Sequence, residues 1–444
     1  MYFLKYKITL TRREVNLETF TVNEKTNFRV DRYFYIWSIF LPITSFLLIP
    51  SIQGTTIGYL MAFASLALVP FLLKYRASMR SYFYTFGFIL VIYIFILLLS
   101  QLSLSLSPRI NFIGVLLINP NDNTYLLKPS MFTQSMYMVA AFATFAYVRV
   151  LYNENWNKYI LAGATVLAVY GIYEVTYFLI TGSQGDFISN RTFGDGTAAG
   201  SRFQKIVIGG LTLQRLKSLT GEPSMYAFTI TPFFIYALYL RKRIIATILG
   251  ASLLLSTSTT FFIGIVIGVF LGAKYLIRAI RKNMLTIALA FFFMGGLIFY
   301  LNVFSSDKLY DIFNTIVLQK LSGLDVSGST RSGWFQVHME FYKSLPLLNQ
   351  IFGVGFGYIR STDLFSTLMV NTGIFGTVLF SLMFIYPILK LDNAAHSKIL
   401  KLILVIIFLS MMIAVPEYSY LSTWLFLGIA YNRILRQKTY KRTC

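Results

Sequence analysis

Long apolar stretches separated by short polar segments make up most of this chain of 444 residues. A helix needs about 20 apolar residues to cross the hydrocarbon core of a bilayer. The pattern therefore predicts an all-α, polytopic membrane protein with about twelve transmembrane helices. The predicted spans are residues 33–50, 56–73, 82–104, 131–150, 158–180, 223–240, 244–257, 259–274, 284–304, 364–389, 399–415 and 418–433.

One apolar stretch is long enough for a single helix, but its flanking charges indicate two. Residues 244–273 carry no charge, and basic residues lie on both sides of them. Basic flanks prefer the cytoplasmic side of a membrane, so we expect both ends of the stretch there. We therefore predict two short spans that turn at the Ser/Thr cluster 256–260.

Two of the predicted loops outside the membrane are longer than a connection requires. Loops of more than about 12–15 residues usually have a function. The predicted order is a cytoplasmic tail (1–32), spans 1–5 (33–180), an outer loop (181–221), spans 6–9 (222–304), a second outer loop (305–363), spans 10–12 (364–433) and a cytoplasmic tail (434–444).

Composition and charge support this assignment. Hydrophobic residues make up 56% of the chain and charged residues 13%, whereas soluble domains have about 45–50% and 25%. These values exclude a soluble globular protein and a disordered chain. The net charge is +22, and most basic residues lie in segments predicted to be cytoplasmic, so the charge indicates topology and not a nucleic-acid partner. The single cysteine, Cys444, excludes a disulfide framework.

The first outer loop is rich in cations and ends at an acidic residue. Its basic residues are Arg191, Arg202, Lys205, Arg215 and Lys217. Arg215 and Lys217 either reach lipid headgroups at the interface or bind an anion, since the guanidinium holds phosphate bidentately. Glu222 precedes Pro223 at a helix start, where it is either a cap or a chemical group. Glu174 lies within a predicted span, which makes it a functional candidate or the partner of an outer-loop arginine.

The second outer loop contains a predicted helix over residues 331–345, closed by Pro346. Helical spacing places five of its residues on one face: Arg331, Trp334, His338, Phe341 and Leu345. The helix either lies on the membrane surface or turns Arg331 and His338 toward a cavity with an anion or hydroxyl. The glycines of residues 353–357 predict a turn and not a nucleotide site. With two histidines in the chain, a His-rich metal site is excluded, and no cofactor is predicted.

The order and placement of these motifs resemble the bacterial O-antigen polymerases (Wzy-type) and, more distantly, the O-antigen ligases. The resemblance rests on residues 215–223, where an Arg is followed by Glu-Pro at a span start, on 331–357, and on the loop-to-span junction 362–373. The ligases carry a histidine at this junction. Here Thr362 and Asp363 stand in its place, which favours a polymerase.

The resemblance implies a GT-C-like membrane fold and a glycosyltransferase of the bacterial inner membrane, with its active site facing the periplasm. The substrate would be an undecaprenyl-diphosphate-linked oligosaccharide, in contact with membrane lipid, and a chain-length regulator protein is left open as a partner. Arg215 and Arg331 would hold the diphosphate, and Glu222, His338 or Asp363 would be the base. Further residues implied in substrate binding are Lys217, Arg191, Arg202, Trp334, Arg360, Asp363 and Glu174.

The sequence is also compatible with two other functions. One is an O-antigen ligase, and the other is a transporter or flippase of lipid-linked oligosaccharides. A transporter would need charges deep within many helices and a repeat that relates its halves. Glu174 is the one clear charge within a predicted span, and no repeat is visible. The charge lies mainly in loops, which favours an enzyme.

Overall fold

A computed structural model provides the structure of the protein, and it describes residues 28–50, 52–73, 76–192, 204–208, 211–268, 270 and 326–443. This part of the chain is mostly helical. The helices are α1 (Phe28–Phe40), α2 (Ile57–Leu72), α3 (Arg76–Leu106), α4 (Pro129–Leu151), α5 (Asn157–Thr181), α6 (Pro223–Tyr239), α7 (Arg243–Ser256), α8 (Thr259–Gly268), α9 (Val326–Ser344), α10 (Leu347–Phe352), α11 (Leu364–Lys390), α12 (Ala395–Ile413) and α13 (Leu421–Thr443).

Several of these helices are long and apolar enough to cross a membrane, as the apolar pattern predicts. Four meet both criteria: Arg76–Leu106, Glu154–Thr181, Leu364–Lys390 and Ala395–Ile413. Three shorter helices, α2, α7 and α8, are also apolar. The count of twelve spans and the GT-C-like arrangement stay predictions, and the predicted span 284–304 lies outside the described residues.

The predicted interruption of the 244–273 stretch is confirmed. Helix α7 ends at Ser256, and Thr257 takes a left-handed conformation with φ 44° before α8 begins. The first helix differs from its predicted span 33–50. It begins at Phe28 and ends at Phe40, because Pro42 follows and cannot continue the helical hydrogen bonds.

A two-stranded antiparallel pair lies in the first predicted outer loop, for which the sequence analysis predicts no regular element. Its strands are β1 (Lys205–Ile208) and β2 (Leu211–Gln214), with Lys205 opposite Gln214. The β-branched residues Ile206, Val207, Ile208 and Thr212 suit an extended chain more than a helix.

Helix α4 lies at the centre of the bundle, packed against α2, α3 and α13. Thirteen of its residues are buried, and Val148 meets α13 at Gly428, where a side chain would lie 2.8 Å from Val148. Asn432 of α13 donates from Nδ2 to the Arg149 carbonyl at 2.9 Å. The two helices are therefore joined by close packing and by a hydrogen bond.

The longer connections meet at one end of the bundle, which we call the loop end. It consists of the described residues within 41–56, 107–128, 182–222, 345–363 and 414–420, which leaves out residues 51, 193–203 and 209–210. Three contacts join these segments: Thr44 N to the Leu219 carbonyl at 3.0 Å, a bridge between Leu117 and Ile359, and a side-chain hydrogen bond from Arg360 to Glu417. The sequence predicts that the loop end faces the outside of the cell.

Candidate functional site

The backbone around Arg360 is held at the loop end by hydrogen bonds on both sides. Arg360 N donates to the Leu116 carbonyl at 3.0 Å. The side-chain amide of Asn371 in α11 binds Ile359 twice, accepting from its N–H at 3.0 Å and donating to its carbonyl at 2.7 Å. The backbone at Arg360 is thus held by α11 and by the 107–128 loop.

Two glycines allow the segment before Arg360 to lie directly on α11. Gly353 has φ +81°, and a Cβ there would lie 2.3 Å from the Asn371 carbonyl oxygen. Gly373 kinks α11 with φ +64°, and its Cβ would lie 2.3 Å from the Ile351 carbonyl oxygen. Each site requires both a positive φ and the absence of a side chain. The Gly-x-Gly segment is therefore a packing turn, as predicted.

Arg360 forms an ion pair with Glu417, which lies in the short connection between α12 and α13. The Arg360 Nη2 donates to Glu417 Oε1. The Glu417 side chain is only 10% exposed, whereas that of Arg360 is 40% exposed. An arginine has five N–H donors in a planar fork. The buried carboxylate therefore fixes the guanidinium from one side, and the exposed side can meet a solute anion.

Glu222 and two tyrosines lie in the electrostatic neighbourhood of Arg360. The pKa of Arg360 is raised chiefly by Glu417, against the effect of burial, and then by Tyr420, Tyr418 and Glu222. Glu222 directly precedes α6, is partly exposed, and accepts a hydrogen bond from Ser224 Oγ. A second carboxylate thus acts electrostatically on the same guanidinium.

A second guanidinium, that of Arg191, is held beside the same group. Its Nη1 donates to the Thr44 carbonyl at 3.0 Å, its Nε donates to Gln53 Oε1 at 3.1 Å, and it lies 5.8 Å from the Tyr137 ring centre. Burial and then Glu417 raise the pKa of Tyr420, while Arg191 and Arg360 both oppose this rise. We call the four charged residues Arg191, Glu222, Arg360 and Glu417 the Arg360 cluster.

The Arg360 cluster combines cations with partly exposed carboxylate oxygen at the loop end of a membrane-type bundle. Guanidinium groups bind phosphate oxygens strongly, and a carboxylate next to them can accept a proton. The arrangement can therefore hold an anionic group and a hydroxyl-bearing group next to each other.

Arg215, predicted to bind diphosphate, instead holds the end of α7. Its Nε donates to Thr257 Oγ1 at 3.1 Å and to the Ser256 carbonyl at 3.3 Å. Its Nη1 donates to Gln204 Oε1 at 2.7 Å. The last carbonyls of a helix lack partners within the helix, and cationic donors stabilise them. Arg215 is therefore part of the framework that joins the β1–β2 pair to α7.

Lys217 and Glu174, both predicted to bind substrate, are buried and paired with each other. Lys217 Nζ lies 3.7 Å from Glu174 Oε1 and donates to Asp186. Glu174 Oε2 also accepts from Ser218 N at 2.9 Å. Burial alone would raise the pKa of Asp186, but Lys217 lowers it to about 2. The triad ties the 182–222 loop to α5, and the partner of Glu174 is a lysine rather than an arginine.

The helix of the second loop has the predicted face. Helix α9 ends at Ser344, two residues before Pro346, with His338 and Leu345 buried and Glu340 exposed. Its Arg331 is partly exposed, and the Arg331 carbonyl accepts from Thr362 Oγ1 at 3.5 Å. The start of α9 therefore lies next to the segment that carries Arg360.

Both ring nitrogens of His338 are used by the backbone. Leu116 N donates to Nε2 at 3.3 Å, so the proton lies on Nδ1, which donates to the Trp334 carbonyl at 2.7 Å. Trp334 is partly exposed, and its ring lies 5.8 Å from that of His338. Burial lowers the pKa of His338, against the Trp334 carbonyl and Asp363, which raise it. These contacts give His338 a role in joining α9 to the 107–128 loop.

Asp363 caps the start of α11. Its carboxylate accepts from Ser366 N and from Ser366 Oγ, both at 2.7 Å, and the residue is buried. Aspartate is among the preferred N-cap residues, because its oxygen satisfies an N–H that the helix leaves free. Of the three candidate bases, Glu222 is the one whose carboxylate is exposed beside Arg360.

Glu417 was not singled out from the sequence, and Arg202 lies outside the described residues. The sequence feature that could have identified Glu417 is the pair Pro416-Glu417 between two predicted spans. It contains the same two residue types as Glu222-Pro223, in the reverse order. Among the described residues, no group of three or more His, Cys, Asp or Glu side chains could hold a metal ion.

No known family model matches the chain, and it matches neither a curated protein nor a solved structure.

Proposed function

We propose that this chain is a glycosyltransferase that polymerises lipid-linked glycan repeat units at the outer face of the bacterial inner membrane. The observation that carries the proposal is the Arg360–Glu417 ion pair at the loop end, with the partly exposed Glu222 and the guanidinium of Arg191 acting electrostatically on the same group of side chains. A lipid-linked diphosphate and a sugar hydroxyl are the groups that such a site suits. The motif order that resembles the O-antigen polymerases supports the same activity.

The donor in this reaction is a glycan joined through its anomeric carbon to undecaprenyl diphosphate. A hydroxyl of the acceptor repeat unit forms a bond to that carbon, and the bond to the diphosphate oxygen breaks. The diphosphate leaves with the bonding electrons, so negative charge develops on its oxygen. Arg360 and Arg191 are the proposed cations for this charge, in place of Arg215, whose guanidinium holds α7. A well-placed donor of this kind contributes about 3–4 kcal/mol to catalysis.

Arg331 remains a proposed contributor to donor binding. Its backbone meets Thr362, two residues beyond Arg360, and its side chain is partly exposed. Trp334, one helical turn further along α9, is the proposed surface on which a sugar ring stacks. These residues would contact the glycan rather than the diphosphate.

Glu222 is the proposed general base, which takes the proton of the attacking hydroxyl. Its carboxylate is partly exposed and is oriented by Ser224 Oγ. His338 lacks an available lone pair because Nε2 accepts from Leu116, and Asp363 is occupied by the Ser366 cap. Glu417 is a proposed positioning residue, since it holds Arg360 and is mostly buried.

A ligase would use the same donor chemistry but a different acceptor, and a transporter would move the lipid-linked unit without bond formation. The deciding experiment supplies purified protein in liposomes with lipid-linked repeat units and separates the products by size. A polymerase gives a ladder of lipid-linked chains. Cells that lack the protein should then display single repeat units.

Three other outcomes would exclude polymerisation. Long lipid-linked chains that fail to reach their final anchor in such cells indicate a ligase. Complete loss of lipid-linked units from the outer face indicates a transporter. Absence of any ladder from protein that is folded, monodisperse and supplied with the correct repeat unit also contradicts the proposal.

A further inference from the structure

An apolar groove of about 350 Å³ runs along the bundle between α3, α4, α11 and α13. Its walls include Ile92, Phe142 and Phe380. Tyr84 and Phe88 line its rim and are 75% and 57% exposed. The groove therefore opens sideways, toward the surface that a lipid would contact.

The groove contains a cation at the end far from the loop end. Arg149, in the last turn of α4, lines this end, and its Nη1 donates to Thr85 Oγ1. Its Nε is buried and makes no hydrogen bond with the described residues. None of the described carboxylates forms an ion pair with Arg149. A buried charge without a counterion is costly, so this guanidinium favours an anion.

Phe356 closes the other end of the groove. It is 3% exposed, and its ring packs edge-to-face against Tyr93 at 5.4 Å and Tyr418 at 5.0 Å between ring centres. Tyr418 follows Glu417 directly in the chain. An aromatic wall therefore separates the groove from the Arg360 cluster, and the cation within the groove itself is Arg149.

The length of the groove matches one leaflet of a bilayer. Along α3 its lining extends from Tyr84 to Ile96, which spans about 18 Å at a rise of about 1.5 Å per residue. That is about half of the roughly 30 Å hydrocarbon core. Two further cations, Arg76 and Arg80, lie exposed in the first turns of α3, on the side of Arg149.

We infer that this groove is a binding site for an anionic phospholipid of the leaflet opposite the loop end. One acyl chain lies along α3 and α4, and the headgroup phosphate binds Arg149. The apolar walls hold the chain, and Arg76 and Arg80 attract a headgroup of net negative charge. The site is separate from the Arg360 cluster and does not depend on the proposed reaction.

Native mass spectrometry of the full-length protein in mild detergent tests this inference. The protein is titrated with phosphatidylglycerol or phosphatidylcholine of identical chains, and the bound lipids are counted. Phosphatidylglycerol is expected to bind more tightly. Arg149→Gln should weaken its binding about fivefold, the effect of one cation near a lipid headgroup. Arg149→Lys should keep most of the affinity, because a phosphate also binds a point charge.

Two further variants distinguish the contribution of the lipid headgroup to binding from that of the acyl chain. Ile92→Trp fills the groove and should weaken the binding of both lipids. Arg243→Gln removes an exposed cation from the same end of the bundle, outside the groove, and should leave binding unchanged. The inference would be overturned if the two lipids bound equally, or if Arg149→Gln and Arg243→Gln lost equal amounts of binding. It would also be overturned if a polyprenyl phosphate displaced phosphatidylglycerol and the binding of that polyprenyl phosphate depended on Arg360.

Discussion

Arg360 and Glu417 join two connections that lie 57 residues apart in the chain, through an ion pair at the loop end of the bundle. The carboxylate is mostly buried and the guanidinium is partly exposed. The pair therefore presents an oriented cation toward the space where Glu222 and Arg191 also lie.

Arg360→Lys should lower the rate of polymerisation about 100-fold, because an ammonium cannot hold Glu417 and a diphosphate in one planar fork. The measurement is the initial rate of ladder formation by purified variants at equal concentration. Arg243→Lys, an exposed change at the opposite end, is the matched control. A fully active Arg360→Lys protein would remove Arg360 from the mechanism.

Glu222→Gln should lower the same rate by about 100-fold or more, since the amide cannot take the proton of the acceptor hydroxyl. Thermal unfolding should change little, because the amide oxygen still accepts from Ser224 Oγ. The control is Glu154→Gln, an exposed glutamate at the opposite end. Wild-type rates in Glu222→Gln across the pH range would mean that another group, or none, acts as the base.

Lys217→Met should destabilise the protein by about 3–5 kcal/mol, because it leaves Glu174 and Asp186 buried without their cation. Thermal unfolding in detergent measures the loss, with the exposed Lys343→Met as control. The triple variant with Glu174→Gln and Asp186→Asn should recover part of the stability. If Lys217→Met unfolds at the wild-type temperature, the triad does not brace the loop.

Stability should fall as the pH drops below about 6.5, the ordinary pKa of histidine. Burial lowers the pKa of His338 in the folded protein, so the unfolded chain binds this proton more readily. Stability is therefore lost between the unfolded and the folded pKa, with no further loss from this group below the folded value. His338→Gln should reduce the slope of the unfolding temperature between pH 7.5 and pH 5.5. An unchanged slope would show that other groups cause it.

Cysteine labelling tests the predicted orientation. With Cys444 replaced by serine, Ser332→Cys, in the exposed part of α9 next to the loop end, should react with a membrane-impermeant thiol reagent added to intact cells. Lys242→Cys, exposed at the opposite end, should react only after the membrane is opened. The reverse result would place the loop end in the cytoplasm.

Sequence patterns within a few residues of each other correctly predicted a helix break and the buried face of one helix. The Ser/Thr cluster and the basic flanks indicated the break at Thr257, and the spacing of residues in α9 identified its buried face. Both depend on residues that are close in sequence, where helical geometry determines which side chains lie together.

Pairing between distant segments could not be predicted in the same way. Arg215 had the chemistry of an anion site, yet it binds the carbonyls of a helix end 41 residues away. In the sequence, Glu417 is an ordinary charged residue next to a predicted span. Its ion pair with Arg360 is visible only in the folded structure. Residue type shows what a side chain can bind, but the partner depends on which connections meet at the loop end.

The kink at Gly373 divides α11 into two halves, and the first half is hydrogen-bonded to the segment that precedes Arg360. The Val354 and Gly355 N–H groups bind the carbonyls of Val370 and Asn371, so the Arg360 segment and the first half of α11 move as one body. Glu417 belongs to a different connection. Any change in the bend of α11 therefore alters the spacing of Arg360 and Glu417. Because helix tilt adapts to bilayer thickness, we expect the geometry of the Arg360 cluster to change with the thickness of the membrane around these helices.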